Sequence, residues 1–277
     1  MVQILGPGYP RLTEIRALLL AAGLGTRLRP YTEKLPKCLM PIGSRPLLEH
    51  WLCIFQKHGV KQVLINTHHH AQLVGQFISR DYFNDWVVGV HEPIILGTAG
   101  TIRHNIHHFC NQTTLVVHAD NWCQCDFASF LRFHESDRPS SAVITMMTYK
   151  TDTPNQCGIV EVDKDGVVIG FHEKVDNPPS NLANGAVYLI EPEVMKWIYK
   201  QTSVTDFSTQ VIPNYIGRIS SWENTHIHRD IGTIESLLKA QKDPLPESCW
   251  PDHDDWFRSY RDNPIHSVIS SLSGKSE

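Results

Sequence analysis

Residues 17–37 read ALLLAAGLGTRLRPYTEKLPK. The first part, ALLLAA (17–22), is apolar at successive positions and stops at Gly23. That is the pattern of a short strand buried on both faces. A strand that empties into a glycine-rich turn belongs at the carboxyl edge of a parallel sheet, where open α/β folds hold ligands. Glycines at 23 and 25 let backbone N–H groups close on an anion. Arg27 and Lys37 follow in the same segment, the first a planar fork for phosphate oxygens, the second a point charge. A plain strand-to-helix turn carrying surface cations fits the spacing equally well. Three familiar loops are excluded. There is no G-x-x-x-x-G-K-[ST], Leu28 stands where G-x-G-x-x-G needs its third glycine, and there is no G-x-S-x-G.

Outward from this loop, short apolar runs alternate with amphipathic segments. VLIN (63–66), WVVGVHE (86–92), TLVVHAD (114–120) and SAVITMMTY (141–149) read as strands. Between them, residues 46–59, 71–83, 98–109 and 126–137 carry helical spacing, with Gly59 a C-terminal stop and Asp126 near an N-terminus. Single helices between strands imply βαβ units and a mostly parallel sheet. After Tyr149 the pattern changes. GIVEVDKDGVVIGFHEK (158–174) alternates on both sides of Asp165-Gly166, the signal of a hairpin. AVYLI (186–190) is a further strand, and a helix follows with Pro192 in its first turn. A helical piece spans 207–215, RISSW and NTHIHRDI are late strands, and GTIESLLKAQK is a last helix. From Asp243 the chain is rich in Pro, Ser and Asp and reads as a loosely packed extension.

With 277 residues and a hydrophobic fraction of 41%, the chain suits one large domain, or one with a small appendage. A net charge of −4 argues against a broad nucleic-acid surface. No window approaches a membrane span, and the start lacks a signal-peptide pattern. Seven scattered cysteines suggest reduced thiols in a cytoplasmic protein. The lone C-x-C at Cys123 and Cys125 and the run His68-His69-His70 do not have the form of metal sites.

The opening segment resembles the signature of sugar-1-phosphate nucleotidyltransferases, the nucleotide-sugar pyrophosphorylases: G-x-G-T-R-[LM]-x-P-x-T, then P-K. Gly23, Gly25, Thr26, Arg27, Pro30, Thr32, Pro36 and Lys37 all fall in place. EPIILGTAG (92–100) is similar to the family's second loop, and HAD (118–120) to the strand end with its first metal aspartate. FHEK (171–174) and NGAVYLI (184–190) resemble its sugar-phosphate motifs, and RDIGT (229–233) its second metal aspartate. These occur in the family's order across roughly residues 16–241. The resemblance implies a Rossmann-like three-layer α/β/α fold with a mostly parallel central sheet and a small β-rich sugar-binding part. It divides the chain into an N-terminal extension (1–15), a nucleotide-binding half (about 16–150), a sugar-phosphate half (about 151–242) and a C-terminal tail (243–277).

The resemblance also implies the chemistry. A sugar-1-phosphate oxygen attacks the α-phosphorus of a nucleoside triphosphate and pyrophosphate leaves, so cations must hold two anionic substrates together. Ala21, Ala22, Gly23, Gly25 and Thr26 would wrap the nucleotide, with Glu92, Leu96, Gly97, Thr98 and Ala99 from the second loop. Arg27 would steady pyrophosphate and Lys37 the α-phosphate. Asp120 and Asp230 would hold Mg2+, brought together by adjacent strands of one sheet. Lys174 would grip the sugar phosphate, Glu173 and Asn184 the sugar hydroxyls, and Gly158 would allow close approach. Taken singly, each residue has an ordinary reading: helix caps for Asp120 and Asp230, a strand terminus for Glu92, a solvated hairpin end for Lys174, a turn for Asn184.

LGTAG (96–100) and PKCLMPI (36–42) are similar to members that use GTP and mannose-1-phosphate, whereas Ala21-Ala22-Gly23 is frequent in uridylyltransferases. The resemblance therefore favours guanylyl transfer to mannose- or heptose-1-phosphate, with uridylyl or thymidylyl transfer as the alternative. A non-catalytic regulatory subunit is the alternative of another class. Homo-oligomers are compatible with the sequence. No hexapeptide repeat follows Lys242, so neither an acetyltransferase fusion nor a left-handed β-helix is expected.

Overall fold

The computed structural model describes residues 15–109 and 111–274. The N-terminal extension expected over 1–15 lies, apart from Ile15, outside the described residues. In chain order the elements are β1 (Arg16–Leu20), the two-residue strands β2 (Pro41–Ile42) and β3 (Arg45–Pro46), α1 (Leu47–Lys57), β4 (Gln62–Thr67), α2 (Ala71–Ile78), β5 (Val87–His91), α3 (Thr98–His104), β6 (Thr114–His118), β7 (Asn121–Gln124) and α4 (Phe127–Arg132). Then come β8 (Ile144–Lys150), β9 (Gly158–Val162), β10 (Val168–Glu173), β11 (Leu182–Ile190), α5 (Pro192–Lys200), β12 (Ile219–Glu223), β13 (Ile227–Asp230), α6 (Ile234–Ala240), α7 (Asp255–Arg261) and α8 (Ile265–Ser273).

Among the described residues the main sheet has nine strands. Its spine runs β10-β9-β11-β6-β1-β4-β5, and β8 pairs with β11 and carries β12. Strands β6, β1, β4 and β5 are parallel neighbours. Strand β11 is antiparallel to β6, β8 and β9, and β10 to β9, so these two run against the rest. The period of two along each strand feeds two cores. Ala17, Leu19, Val63, Ile65, Leu115 and Val117 face α1, α2 and α4. Leu18, Leu64 and Val116 face α3 and α5. Helices on both faces of a mostly parallel sheet give the three expected layers.

Local chemistry sets the helix ends. Asp126 caps α4 through the Ser129 N–H, and Thr233 caps α6 through the Ser236 N–H. Gly59, at φ 72°, takes the left-handed position after α1. Helix α2 is shorter than the 71–83 segment. Helix α3 ends at His104 and gives way to a 3-10 turn, Ile106–His108.

Beyond Asp243 the chain does not trail off as its composition implies. Helices α7 and α8 bury Phe257, Tyr260, Ile265 and Ile269. Arg80, from the end of the α2 region, lies between Glu49 at 2.8 Å and Asp254 at 2.7 Å, and its guanidinium faces the Trp256 ring at 5.2 Å. Cys53 of α1 and Cys249 form a disulfide, which corrects the expectation that the thiols are reduced; Cys38, Cys123, Cys125 and Cys157 are free. The Arg80–Asp254 pair and the disulfide join positions 174 and 196 apart, and no local spacing announces them. The extension, together with Gln241 just before it, also braces the segment after Lys37. The Tyr260 hydroxyl donates to Leu39 O at 2.8 Å, and Gln241 Nε2 donates to Pro41 O at 2.7 Å. No helix among the described residues is long and apolar enough to cross a membrane.

Candidate active site

The carboxyl ends of β1, β4 and β6 open onto a cavity of about 310 Å³. Ala21, Ala22, Gly23, Gly25 and Thr26 line one wall, Glu92, Gly97 and Thr98 another, and Arg27, Lys37 and Asp120 the floor. The first loop is held by one side chain from β4 and one from its own segment. The Ala21 N–H donates to Asn66 Oδ1 at 2.8 Å, and Thr32 Oγ1 donates to Gly25 O at 2.8 Å. Gly25 has φ 63°, and a Cβ there would meet Thr32 Cγ2 at 2.8 Å, so a side chain is excluded. Among the described residues, the N–H groups of Gly23, Leu24 and Gly25 make no hydrogen bond with the rest of the chain, which leaves them for an anion.

At the floor, Lys37 Nζ lies 2.8 Å from Asp120 Oδ2 and 2.6 Å from Asp230 Oδ1. Arg27 Nη2 lies 2.9 Å from Asp230 Oδ2. The Lys37 side chain is 9% exposed, whereas Asp120 and Asp230 are 34% and 43% exposed. Burial alone disfavours the Lys37 ammonium, but the two carboxylates outweigh it and hold its pKa above the ordinary value. Burial likewise opposes the Asp230 carboxylate, and Lys37 and Arg27 overcome it and pull its pKa down. The thiol of Cys38, buried beside Lys37, is pushed up to about 12, chiefly by desolvation.

The two aspartates meet by a different route from the one expected. They are not on adjacent strands of the main sheet. Asp120 follows β6, and Asp230 ends β13, which pairs antiparallel with β7 in a separate ribbon and sets Asp230 opposite Asn121. Ile231 N–H closes the ribbon on Asp120 O at 3.2 Å. The antiparallel return of a late strand onto the segment at Asp120 is a tertiary contact with no sequence signature.

The second loop is positioned as much as it is exposed. Glu92, 2% exposed, accepts from Thr101 Oγ1 at 2.6 Å, Asn66 Nδ2 at 3.0 Å and Leu96 N–H at 3.2 Å. Ala99 is fully buried and its N–H bonds Thr205 O at 2.9 Å. Leu96 and Ala99 therefore shape the loop from behind, while Gly97 and Thr98 face the cavity.

The remaining expected residues form a second patch outside this cavity. Gly158 sits opposite Glu173 across the β9–β10 hairpin. Lys174, 65% exposed, lies 3.3 Å from Glu173 Oε1. Asn184 is held in an irregularity of β11, its Nδ2 donating to the Tyr188 hydroxyl at 2.6 Å and its Oδ1 accepting the Ala186 N–H at 2.9 Å. Asn121 ties the two patches together through a 3.0 Å bond from Nδ2 to Gly185 O.

Among the described residues, Asn66, Thr101, Asn121 and Gly232 shape the site and were not among the expected site residues. Asn66 and Asn121 follow buried apolar runs near the carboxyl edge, a position that marks ligand-side residues. Gly232 lines the cavity, and only the packing of Arg27 against it reveals its role.

A family model described as Nucleotidyl transferase matches residues 16–246, and the chain belongs to that family. The mannose-1-phosphate guanylyltransferase of Mycobacterium tuberculosis is 28% identical over 235 residues, 83% of this chain and 64% of that protein. A UTP–glucose-1-phosphate uridylyltransferase of Synechocystis is 28% identical over 198 residues, 66% of this chain and 51% of that protein. The chain thus spans about half to just under two thirds of these curated relatives. A putative glucose-1-phosphate thymidylyltransferase from Bacillus anthracis superposes with a TM-score of 0.73 at 20% identity, covering 88% of this chain and 99% of that one, which speaks for the fold.

Proposed function

We propose that the chain condenses a nucleoside triphosphate with a sugar-1-phosphate to give a nucleotide-sugar and pyrophosphate, with GTP and mannose-1-phosphate or a heptose-1-phosphate as its substrates. The observation that carries this reading is the convergence of Arg27, Lys37 and Asp120 on one cavity floor, with Asp230 within 2.9 Å of both Arg27 and Lys37, beneath a loop of uncommitted N–H groups. Two phosphate-bearing reactants repel each other, and a site with fixed cations and backbone donors offsets that repulsion.

In this reading the N–H groups of Gly23 to Gly25 cradle the triphosphate, Arg27 steadies the departing pyrophosphate and Lys37 binds the α-phosphate. Lys174 takes the sugar phosphate, and Glu173 and Asn184 contact the sugar across from Gly158. The attacking phosphate is already an anion, so no general base is needed and orientation carries the rate. Asp120 and Asp230 suit Mg2+, a hard ion often held by two carboxylates with substrate phosphates and water completing its shell. When bound it supplies charge neutralisation at the phosphates. Glu92 supports guanine: a buried carboxylate accepts hydrogen bonds but donates none, and guanine presents adjacent N1–H and N2–H donors.

The decisive experiment measures pyrophosphate release with Mg2+ across GTP, UTP, dTTP and ATP against a panel of sugar-1-phosphates. Release that requires both GTP and mannose- or heptose-1-phosphate supports the proposal. Turnover with another pair reassigns base or sugar, and binding without turnover across the matrix replaces the enzyme with a regulatory subunit.

A further inference from the structure

We infer that Lys37 is an exchangeable counter-ion: its ammonium lies between Asp120 and Asp230, the pair that would hold a divalent cation, and it leaves when substrate phosphates offer it another partner. The inference rests on reading the two aspartates as the metal pair.

The geometry is specific. Nζ is 2.8 Å from one carboxylate and 2.6 Å from the other, so it bridges the facing oxygens. A divalent cation held by these two carboxylates would compete with the ammonium for the same oxygens, because like charges repel. The stem of Lys37 is buried while the carboxylates are partly exposed. The Lys37 side chain is itself only 9% exposed, so its ammonium stays with the aspartates or turns to another group in the cavity it lines. A buried ammonium without a partner is costly, so Lys37 yields its place only where a new anion meets it. The triphosphate cradle along Gly23 to Gly25 borders the same cavity. Among the described residues no group of three metal-ligating side chains exists, so a two-carboxylate site has little with which to outcompete the lysine on its own. Lys37 thus couples metal occupancy to nucleotide arrival and keeps the carboxylates paired in the meantime.

Arg27 provides the contrast. It pairs with the outer oxygen of Asp230, is 64% exposed and leaves the gap between the carboxylates free. Removing either side chain takes away one positive charge, but only Lys37 occupies the disputed position.

The test is Mn2+ binding to the full chain without nucleotide, read from the free-ion EPR signal. Lys37→Met is expected to bind Mn2+ roughly tenfold or more tighter than wild type, whereas Arg27→Met gains less than about threefold. Lys37→Gln, which keeps a donor to the carboxylates without the charge, carries the same expectation should the Met variant not fold. Equal or weaker binding by the Lys37 variants overturns the exchange, as does an equal gain from Arg27→Met. The double variant Lys37→Met/Asp120→Asn separates the two levels. If it binds as tightly as Lys37→Met, Asp120 is not a ligand and the metal-pair reading itself fails. If wild type with a non-hydrolysable GTP analogue binds Mn2+ through Asp120 while Lys37→Met shows no gain, the exchange alone fails.

Discussion

A Cβ on Gly232 would lie 2.5 Å from Arg27 Nη2 and 2.8 Å from its Cζ, so the absence of a side chain at 232 is what lets the guanidinium reach Asp230. The methyl group of a Gly232→Ala variant has to push the arginine aside. A displacement of about 1 Å at a positioned charge costs on the order of 100-fold in rate. Gly232→Ala is therefore expected to lower kcat 10- to 100-fold, by the same scale, with the far-UV circular dichroism of wild type. Adding it to Arg27→Ala should cost little more than Arg27→Ala alone, because both act on one contact. Full additivity, or wild-type turnover in Gly232→Ala, refutes the dependence.

This contact also marks the limit of what the sequence made legible. The run at 17–22, its glycine turn and the strands ending at Asn66 and Asp120 are local patterns, and the sheet edge follows from them. Arg27, Lys37, Asp120 and Asp230 were nameable because motifs keep their order along the chain. The ribbon that brings Asp230 onto Asp120 was not legible, because β13 and β7 are more than 100 positions apart and each is only four residues long. The C-terminal helices were misread for a compositional reason. Phe257, Tyr260, Ile265 and Ile269 sit at core spacing, but Pro, Ser and Asp between them dilute the average below that of a packed segment. The disulfide followed the same logic, since Cys249 finds Cys53 only after that segment folds back over α1.

The carboxylate of Glu92 yields a prediction about base choice. Its Oε1 is shared by Asn66 and Thr101, while Oε2 accepts the Leu96 N–H and retains lone-pair capacity. Glu92→Gln keeps the volume but turns one oxygen into a donor, which opposes a donor edge such as guanine N1–H and N2–H. The ratio of kcat/KM for GTP over UTP is expected to fall about 10- to 100-fold, the range for a mispaired buried polar contact. An unchanged ratio, with both substrates slowed equally, would show that Glu92 only holds the loop.

Arg80 tests whether the C-terminal helices belong to the core. Its side chain is 4% exposed between Glu49, itself 2% exposed, and Asp254. Removing one member of a buried charge network strands the others and costs about 3–5 kcal/mol. Arg80→Met is expected to lower the melting temperature by on the order of 10 °C. Glu49→Gln in the same chain should restore part of the loss, since it neutralises the oxygen left without Arg80 while the other oxygen keeps its Arg45 contact. Calorimetry of the two variants decides it, and a melting temperature within about 2 °C of wild type for Arg80→Met would mean that the segment adds nothing to the fold.

His50 gives the molecule an acid limit whose direction is fixed by its surroundings. Its ring lies edge-on to Trp122 at 4.8 Å and is 9% exposed. Burial holds its pKa down to about 4 from an ordinary 6.5; the Ile42 carbonyl at 3.4 Å acts the other way, and the Arg45 charge adds to the depression. Between pH 6.5 and 4 the unfolded chain binds a proton here that the folded chain refuses. Stability from this site is thus complete above pH 6.5, declines as the pH falls toward 4, and loses nothing more below that. The slope approaches about 1.4 kcal/mol per pH unit within the window. His58, His134 and His266 are also depressed by burial and add a background of the same sign. His50→Phe removes one proton from that balance. Urea unfolding of both proteins at pH 7 and pH 5 should show wild type losing more free energy on acidification than His50→Phe, by about 1–2 kcal/mol. Parallel losses in the two proteins would mean that His50 already carries its proton in the folded chain at pH 5.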